Sequence, residues 1–223
     1  MAESTAKQIF IVDDHPLFRE GLVGLVKREA DLAVCGEADN ALQALTDIQS
    51  AKPDLVLADI GLPGKSGLEL VKDIRGACPE MAILVISMHD ETLYAERVLR
   101  AGGRGYIMKQ EGPEKILQAI RQVLDGQIAV SGKMSGRILE ALSDRRAKSN
   151  SPIARLTDRE FEILQLIGHG KDSHAIAEQL HLSVKTVDAH RGNIKEKLEM
   201  ESGTELICYA ARWVETQSPG EAS

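Results

Sequence analysis

The first part of the chain alternates short apolar runs with longer segments in which apolar residues recur every three or four positions. Such alternation predicts strands separated by amphipathic helices. Residues 83–86 are apolar at every position, which is typical of strands covered on both faces in a parallel sheet. The pattern therefore predicts a doubly wound α/β domain of five parallel strands. The predicted strands are residues 8–12, 33–37, 55–58, 82–86 and 105–108.

The pattern changes after residue 130. Residues 131–152 are rich in Ser, Gly and charge and predict a linker that contains one short helix. From residue 153 onward the apolar spacing is helical throughout. We therefore predict a first domain over residues 1–130, a linker over 131–152 and a small all-α domain over 153–223.

The predicted all-α domain carries clear helix start signals. The run from Thr157 to Glu160 is a capping box, in which the two side chains satisfy free backbone amides at the start of a helix. Asp172 or Ser173 can cap a second helix, Ser183 can cap a third that runs to about residue 200, and a fourth is predicted over 203–214. Only His181 and Leu182 separate the second and third helices, which is the spacing of a helix-turn-helix.

Composition narrows the class of protein. With 223 residues, 43% hydrophobic and 27% charged, the chain is typical of a globular protein. Its apolar runs are far shorter than the roughly 20 residues that a membrane helix needs, and its beginning has no pattern of a secretory signal. We therefore expect a cytoplasmic protein without a membrane segment. The three cysteines form no CxxC pair, which favours reduced thiols over disulfides or a zinc site.

The net charge of −7 argues against general nucleic-acid binding. A basic stripe nevertheless lies within residues 183–198, where four cationic residues outnumber two acidic ones. The cationic residues are Lys185, Arg191, Lys195 and Lys197. The third helix of the all-α domain is therefore the candidate DNA-binding element.

Charged and hydroxyl side chains follow the predicted strands. Because the carboxyl ends of parallel strands meet at one edge of the sheet, we expect these residues to lie together: Asp13, Asp14, Asp59, Ser87 and Lys109. Adjacent carboxylates repel unless a cation joins them, and an all-oxygen site suits Mg²⁺. A carboxylate can also attack phosphorus, with the metal and a lysine stabilising the transferring group. Asp59 is the candidate nucleophile.

Several motifs in these regions resemble a known family. The run from Asp59 to Gly64 followed by Ser66 and Gly67, the run from Asp13 to His15, and the run from Gly105 to Gln110 resemble response-regulator receiver domains. The runs 156–160 and 182–187, with His190, Asn193, Ile194, Lys197 and Leu198, resemble LuxR-type DNA-binding domains. The chain thus resembles a two-component response regulator of the NarL/FixJ subfamily, whose receiver has a flavodoxin-like fold.

The resemblance implies roles for individual residues of the first domain. Asp59 would accept a phosphoryl group from a sensor histidine kinase. Asp14, Asp59 and the carbonyl group of Gly61 would hold Mg²⁺, with Asp13 in support. Lys109 would pair with the phosphoryl group, Ser87 would donate a hydrogen bond to it, and Tyr106 would turn inward behind that hydroxyl. His15 would orient the acidic pair or be an ordinary loop histidine.

In the second domain the resemblance implies binding to double-stranded DNA as a homodimer. Asp188 and Gly192 depart from the pattern, because some relatives place basic residues there. The predicted DNA-contact residues are Lys185, Thr186, Asp188, Ala189, His190, Arg191, Asn193, Lys195 and Lys197. The predicted dimerisation residues are Leu206, Ile207 and Ala210, within an apolar stripe that is also typical of bundle core.

The sequence therefore predicts a phosphorylation-controlled transcription regulator rather than an enzyme. Phosphorylation of Asp59 would shift a closed/open or monomer/dimer equilibrium toward DNA binding. Two alternatives stay open. One is a metal-dependent phosphotransferase or phosphatase, which sustained turnover of a small phosphoester would reveal. The other is a constitutive DNA binder with a silent receiver.

Overall fold

The computed structural model describes residues 6–143 and 152–217, which form two separate compact units. The first unit contains five strands and six helices in alternation. They are β1 (Lys7–Val12), α1 (Pro16–Val26), β2 (Leu32–Ala38), α2 (Ala41–Ala51), β3 (Leu55–Ala58), α3 (Gly67–Ala77), β4 (Ala82–Ser87), α4 (Glu91–Ala101), β5 (Gly105–Met108), α5 (Pro113–Leu124) and α6 (Gly132–Ser143).

The five strands form one parallel sheet in the order β2-β1-β3-β4-β5. Apolar side chains of α1 and α5, among them Val26 and Ile120, pack on one face of the sheet against Ile9, Leu57 and Leu84. Helices α2, α3 and α4 lie beside one another and complete the domain. The predicted doubly wound fold is confirmed, and no predicted strand end differs from the observed one by more than one residue.

The chain after α5 remains attached to the sheet. Tyr106 N donates a 2.8 Å hydrogen bond to Ala129 O, and Ala129 N donates a 3.0 Å bond to Arg104 O, so residue 129 extends the sheet beyond β5. Ser131 N then donates a 2.7 Å hydrogen bond to Glu91 Oε1 at the start of α4. Helix α6 follows, with Met134 buried. The predicted linker therefore begins with a helix that belongs to the first unit, and residues 144–151 of that linker lie outside the described residues.

The second unit is a bundle of four helices preceded by a short 3-10 turn (Pro152–Arg155). The helices are α7 (Asp158–Gly168), α8 (Ser173–Gln179), α9 (Val184–Lys197) and α10 (Gly203–Gln217). Its core contains Ile163, Ile176, Val187, Ile194 and Leu206, all fully buried. None of the helices within residues 6–143 and 152–217 combines the length and the apolar character that a membrane span requires.

The helix starts in this unit follow the sequence signals. Thr157 and Glu160 form both hydrogen bonds of a capping box at α7, Asp172 caps α8, and Ser183 caps α9. Helix α9 ends at Lys197, earlier than the predicted residue 200, because Glu199 takes a left-handed conformation with φ 58°. Helix α10 extends to Gln217, beyond the predicted residue 214.

Candidate functional site

The carboxyl ends of three strands bring Asp13, Asp59 and Lys109 together. Each residue directly follows its strand, and its backbone amide continues the hydrogen bonding of the sheet. Asp13 N bonds Ala38 O at 3.1 Å, Asp59 N bonds Val12 O at 2.9 Å, and Lys109 N bonds Ser87 O at 2.8 Å. Because these bonds orient the backbone, the three side chains occupy the same edge of the sheet, as the strand-end argument predicts.

Lys109 connects two of the carboxylates. Its Nζ atom lies 2.7 Å from Asp13 Oδ2 and 2.7 Å from Asp59 Oδ2, with only 3% of the lysine side chain exposed. The same atom lies 4.7 Å from the centroid of the Phe18 ring on α1. The cation is thus held between two anions and an aromatic face, all of which stabilise its charge. Phe18 is a residue that sequence reasoning missed, because an apolar residue on a helix gives no signal of such a contact.

Asp13 is the most deeply buried acid of this site. Burial raises the pKa of Asp13 above its ordinary value, and the neighbouring charge of Asp59 raises it further, while Lys109 and the backbone amide of His15 oppose the change. Loss of hydration thus outweighs the favourable contacts of Asp13. A further cation beside Asp13 would relieve this cost.

The pocket has a donor set that fits a hard divalent cation. Carboxylate oxygens of Asp13, Asp14 and Asp59 and a ring nitrogen of His15 lie within 4.8 Å of one another. Asp14 Oδ1 is buried and accepts no hydrogen bond, and Asp13 Oδ2 lies beside Lys109 Nζ without hydrogen-bond alignment. Buried carboxylate oxygens normally find such a partner, so a cation at this position would satisfy them. The oxygen-rich chemistry matches Mg²⁺.

The loop after Asp59 folds tightly back onto that residue. Ile60 O accepts hydrogen bonds from Leu62 N and Gly67 N, both at 2.9 Å. A Cβ atom at Gly67 would lie 1.8 Å from Asp59 O, so no other residue type fits there. An added Cβ at Gly61 would lie 3.6 Å from Asp59 Oδ2, which places the Gly61 backbone beside the carboxylate.

Ser87 and Tyr106 lie next to the acidic pocket on neighbouring strands. Ser87 is fully buried at the end of β4, and its Oγ atom accepts a 3.3 Å hydrogen bond from His89 N. Tyr106 is 2% exposed, and its hydroxyl group donates a 2.7 Å hydrogen bond to His89 O. Burial raises the pKa of Tyr106 well above its ordinary value, so the hydroxyl stays protonated. The tyrosine therefore points inward in this structure.

The predicted DNA-contact residues divide into two groups on α9. Lys185, Asp188, Ala189 and Asn193 are exposed. The others are half-buried, namely Thr186, His190, Arg191, Lys195 and Lys197. Val187 and Ile194 face the bundle core, whereas Leu198 follows the helix and is half-buried.

Asp188 and Lys197 of this predicted set have partners on other helices. Ser173 Oγ donates a 2.7 Å hydrogen bond to Asp188 Oδ1, which joins α8 to α9. Lys197 Nζ lies 2.6 Å from Glu160 Oε2 of the α7 capping box. Since both contacts span different helices, sequence spacing alone could not reveal them. Asp188 and Lys197 therefore contact other helices of the protein, in addition to the DNA contacts predicted for them.

The predicted dimerisation set requires a correction. Leu206 and Ala210 are fully buried in the chain's own bundle, and only Ile207, 46% exposed, presents apolar surface. The cause is close packing of α10 on α7, where Ala210 O would lie 2.6 Å from a Cβ added at Gly168. Leu206 and Ala210 are therefore core residues and present no surface to a second copy.

Comparison with known proteins agrees with both halves of the chain. Residues 9–121 match the response regulator receiver domain, and residues 154–210 match the luxR family of bacterial regulatory proteins. Oxygen regulatory protein NreC of Staphylococcus haemolyticus is 35% identical over 210 residues, which cover 92% of this chain and 97% of that protein.

Solved structures show the same likeness. A LuxR-family two-component response regulator from Aurantimonas is 34% identical with a TM-score of 0.58, over 62% of this chain and 99% of that one. The RcsB response regulator of Salmonella typhimurium shares the fold at 24% identity, with a TM-score of 0.64 over 93% of this chain and 98% of that one. The chain therefore belongs to the LuxR-type response regulators, in which a receiver domain is joined to a helix-turn-helix DNA-binding domain.

Proposed function

We propose that Asp59 is the phosphoacceptor of a Mg²⁺-dependent receiver that controls DNA binding by the second unit. The observation that carries this proposal is the position of Lys109 Nζ, 2.7 Å from both Asp13 and Asp59. A lysine held there can pair with phosphoryl oxygens as soon as Asp59 is modified. The protein acts as a transcription regulator, and its own chemistry is limited to gain and loss of this phosphoryl group.

The transfer follows from the residues of the pocket. An Asp59 oxygen attacks the phosphorus atom of a phosphohistidine in a sensor histidine kinase. A P–O bond forms, the P–N bond breaks, and the imidazole of the kinase leaves with its electron pair and takes up a proton. Bound Mg²⁺ would neutralise charge on the phosphoryl oxygens. Asp14, Asp59 and the carbonyl group of Gly61 would hold that ion, with Asp13 in support.

A route from the phosphoacceptor to the linker passes through Ser87 and β5. Ser87 Oγ would donate a hydrogen bond to the phosphoryl group, and the same atom accepts a bond from His89 N. The backbone carbonyl of His89 also accepts the hydroxyl hydrogen of Tyr106, whose backbone amide bonds Ala129, two residues before the linker. Rearrangement of Ser87 would thus reach the segment that leads into α6.

The output is binding of a homodimer to double-stranded DNA through α9. The exposed side chains of Lys185 and Asn193 suit contacts with phosphates and bases. Exposed Ile207 is the residue of the predicted dimerisation set that remains available to a second copy. Since bacterial DNA lies in the cytoplasm, the protein would act there. We propose residues 1–130, 131–152 and 153–223 as receiver, linker and DNA-binding domain.

Intact-mass measurement tests the phosphoacceptor directly. The full-length protein is incubated with Mg²⁺ and a small phosphodonor, beside Asp59→Asn and the control Asp125→Asn, which alters an exposed aspartate at the end of α5. We expect one phosphoryl adduct on the parent and on Asp125→Asn, and none on Asp59→Asn or without Mg²⁺. An adduct on Asp59→Asn would refute the assignment. Continuous turnover of the phosphodonor far beyond one equivalent would favour the alternative of a phosphatase.

DNA binding by the same samples tests control of the output. Fluorescence anisotropy with duplex DNA is compared before and after phosphorylation, with Asp59→Asn as the unresponsive reference. We expect phosphorylation to increase the DNA affinity of the parent. Equal affinities in both states would instead indicate a constitutive DNA binder with a silent receiver.

A further inference from the structure

The imidazole ring of His15 lies at the mouth of the acidic pocket, with 63% of its side chain exposed. His15 Nδ1 lies 2.7 Å from Asp14 Oδ1, 3.3 Å from Asp13 Oδ1 and 3.8 Å from Asp59 Oδ2. The backbone amide of His15 donates a 2.9 Å hydrogen bond to Asp13 Oδ1, which anchors the residue at the pocket. The ring nitrogen therefore faces all three acids.

Helix capping does not explain this position. His15 is the N-cap residue of α1, yet its side chain makes no capping hydrogen bond. Its closest contact also lacks the alignment of a hydrogen bond, since Asp14 Oδ1 accepts none although Nδ1 is 2.7 Å away. Two atoms that can both ligate a metal are thus placed side by side.

The spacing is that of donors around one ion. Metal–donor bonds of about 2.1 Å place adjacent donors about 3 Å apart and opposite donors about 4.2 Å apart. The distances of 3.3 and 3.8 Å from Nδ1 fall in this range, and the shortest, 2.7 Å, lies just below it. Lys109 lies on the Oδ2 side of Asp13, whereas His15 faces Oδ1 of the same carboxylate. The lysine and the imidazole therefore occupy different sides of Asp13.

We propose that His15 Nδ1 is an additional metal ligand of this pocket, so that the receiver binds imidazole-accepting ions such as Ni²⁺ and Co²⁺ more tightly than its carboxylates alone would. The inference depends on the proposed function only because both involve the same metal site. Mg²⁺ prefers oxygen donors and gains little from an imidazole, whereas later divalent ions gain much. His15 then determines which metal occupies the site.

Metal titration of the full-length protein tests this role at one fixed pH. Isothermal calorimetry compares Mg²⁺, Co²⁺ and Ni²⁺ binding to the parent and to His15→Ala. We expect His15→Ala to weaken Co²⁺ and Ni²⁺ binding at least about tenfold. Removal of a residue that only hydrogen-bonds a metal ligand already lowers metal affinity by about that factor. Mg²⁺ affinity should stay within about threefold, since its oxygen ligands remain.

Electron spin echo modulation of the Cu²⁺-loaded protein provides a direct readout, because Cu²⁺ is an imidazole-accepting ion. A coordinated imidazole produces a nitrogen modulation, which we expect in the parent and not in His15→Ala. His174→Ala is the matched control, because it removes an exposed histidine of the second unit. That variant should keep both the modulation and the metal affinities.

Two results would overturn the proposal. If His15 is only a counter-ion or a support for Asp14, its removal would shift the affinities for all ions in the same direction and by similar factors. If the ring plays no part, neither affinity nor modulation would change. Both readouts are independent of phosphorylation. Failure of the ligand assignment is therefore distinguishable from failure of Asp59 as phosphoacceptor, which the mass measurement reports.

Discussion

Ser173 on α8 donates a 2.7 Å hydrogen bond to Asp188 on α9, and so ties together the two helices of the helix-turn-helix. Asp188 is an acidic residue on a helix that carries Lys185 and Arg191. Its carboxylate repels phosphates and is already engaged by a hydroxyl group. The contact therefore indicates that Asp188 orients α9 and limits its electrostatic attraction to DNA.

Asp188→Asn should raise affinity for DNA of random sequence. The change removes one negative charge from α9, so the electrostatic attraction increases and the dependence on salt becomes steeper. Fluorescence anisotropy at two salt concentrations measures both effects. Glu178→Gln, an equal change of charge at an exposed position on α8, is the control. Lower affinity of Asp188→Asn for random DNA would contradict this interpretation.

Ser173→Ala should lower the free energy of unfolding by about 1 kcal/mol, the usual worth of one hydrogen bond. In the background of Asp188→Ala the same substitution should cost almost nothing, because its partner is already absent. Urea unfolding of the parent, the two single variants and the double variant measures this coupling as a double-mutant cycle. Trp213 is the chain's single tryptophan and packs on Phe161 with ring centroids 5.4 Å apart, so its fluorescence reports on this unit. Equal costs in both backgrounds would refute the coupling.

Gly67→Ala should disrupt the loop that holds Asp59. The added methyl group would lie 1.8 Å from Asp59 O, so the loop must move, at a cost of about 1–3 kcal/mol or more. We also expect slower phosphorylation by a small phosphodonor. Gly76→Ala is the matched control, since open space surrounds that position in α3 and alanine favours helix. A Gly67→Ala protein of parental stability would contradict the observed close approach.

Glu160→Gln should destabilise the second unit at neutral pH and lose this effect in acid. Burial alone would raise the pKa of Glu160, but its hydrogen bonds with Lys197 and Thr157 outweigh burial and lower the pKa below the ordinary value. A lowered pKa means that the charged form contributes stability above the unfolded pKa of about 4.5, and that this contribution disappears as pH falls through the folded pKa.

The expected loss for Glu160→Gln at neutral pH is about 1–2 kcal/mol, as for hydrogen bonds to charged groups. Urea unfolding followed by Trp213 fluorescence gives the free energy of unfolding between neutral and acidic pH. The values for the parent and for Glu160→Gln should begin to converge below the unfolded pKa and meet below the folded pKa. Glu178→Gln alters an exposed side chain, so its free energy of unfolding should change with pH as that of the parent does. A difference that stays constant in acid would mean that the charge of Glu160 contributes nothing.

Glu91→Ala should weaken transmission from the receiver while leaving phosphorylation intact. Glu91 Oε1 accepts the 2.7 Å hydrogen bond of Ser131 N, which fixes the start of the linker to α4. Alanine removes this acceptor, so we expect the same phosphoryl adduct as in the parent but a smaller change in DNA affinity upon phosphorylation. Glu114→Ala, at the start of α5, is the control, since its side chain is exposed. A parental response in Glu91→Ala would exclude this contact from the route.

The amino-acid sequence by itself determined the elements of this protein and much of its site. Continuous apolar runs predict strands because a buried parallel strand is apolar on both faces. The capping box could be predicted because its contacts are local: Thr157 and Glu160, three residues apart, each bond the backbone amide of the other. The gathering of Asp13, Asp59 and Lys109 was predictable because parallel strands end at one edge.

Only the tertiary structure decided which side chains meet across elements. The contacts of Phe18 with Lys109, of Glu160 with Lys197 and of Ser173 with Asp188 join separate elements, and no local pattern encodes them. The stripe on α10 shows the same limit. Its spacing marks one apolar face, but whether Leu206 faces the bundle or a second copy depends on how closely α7 approaches. Sequence periodicity reports the direction of a side chain around its helix, whereas burial depends on what packs against it.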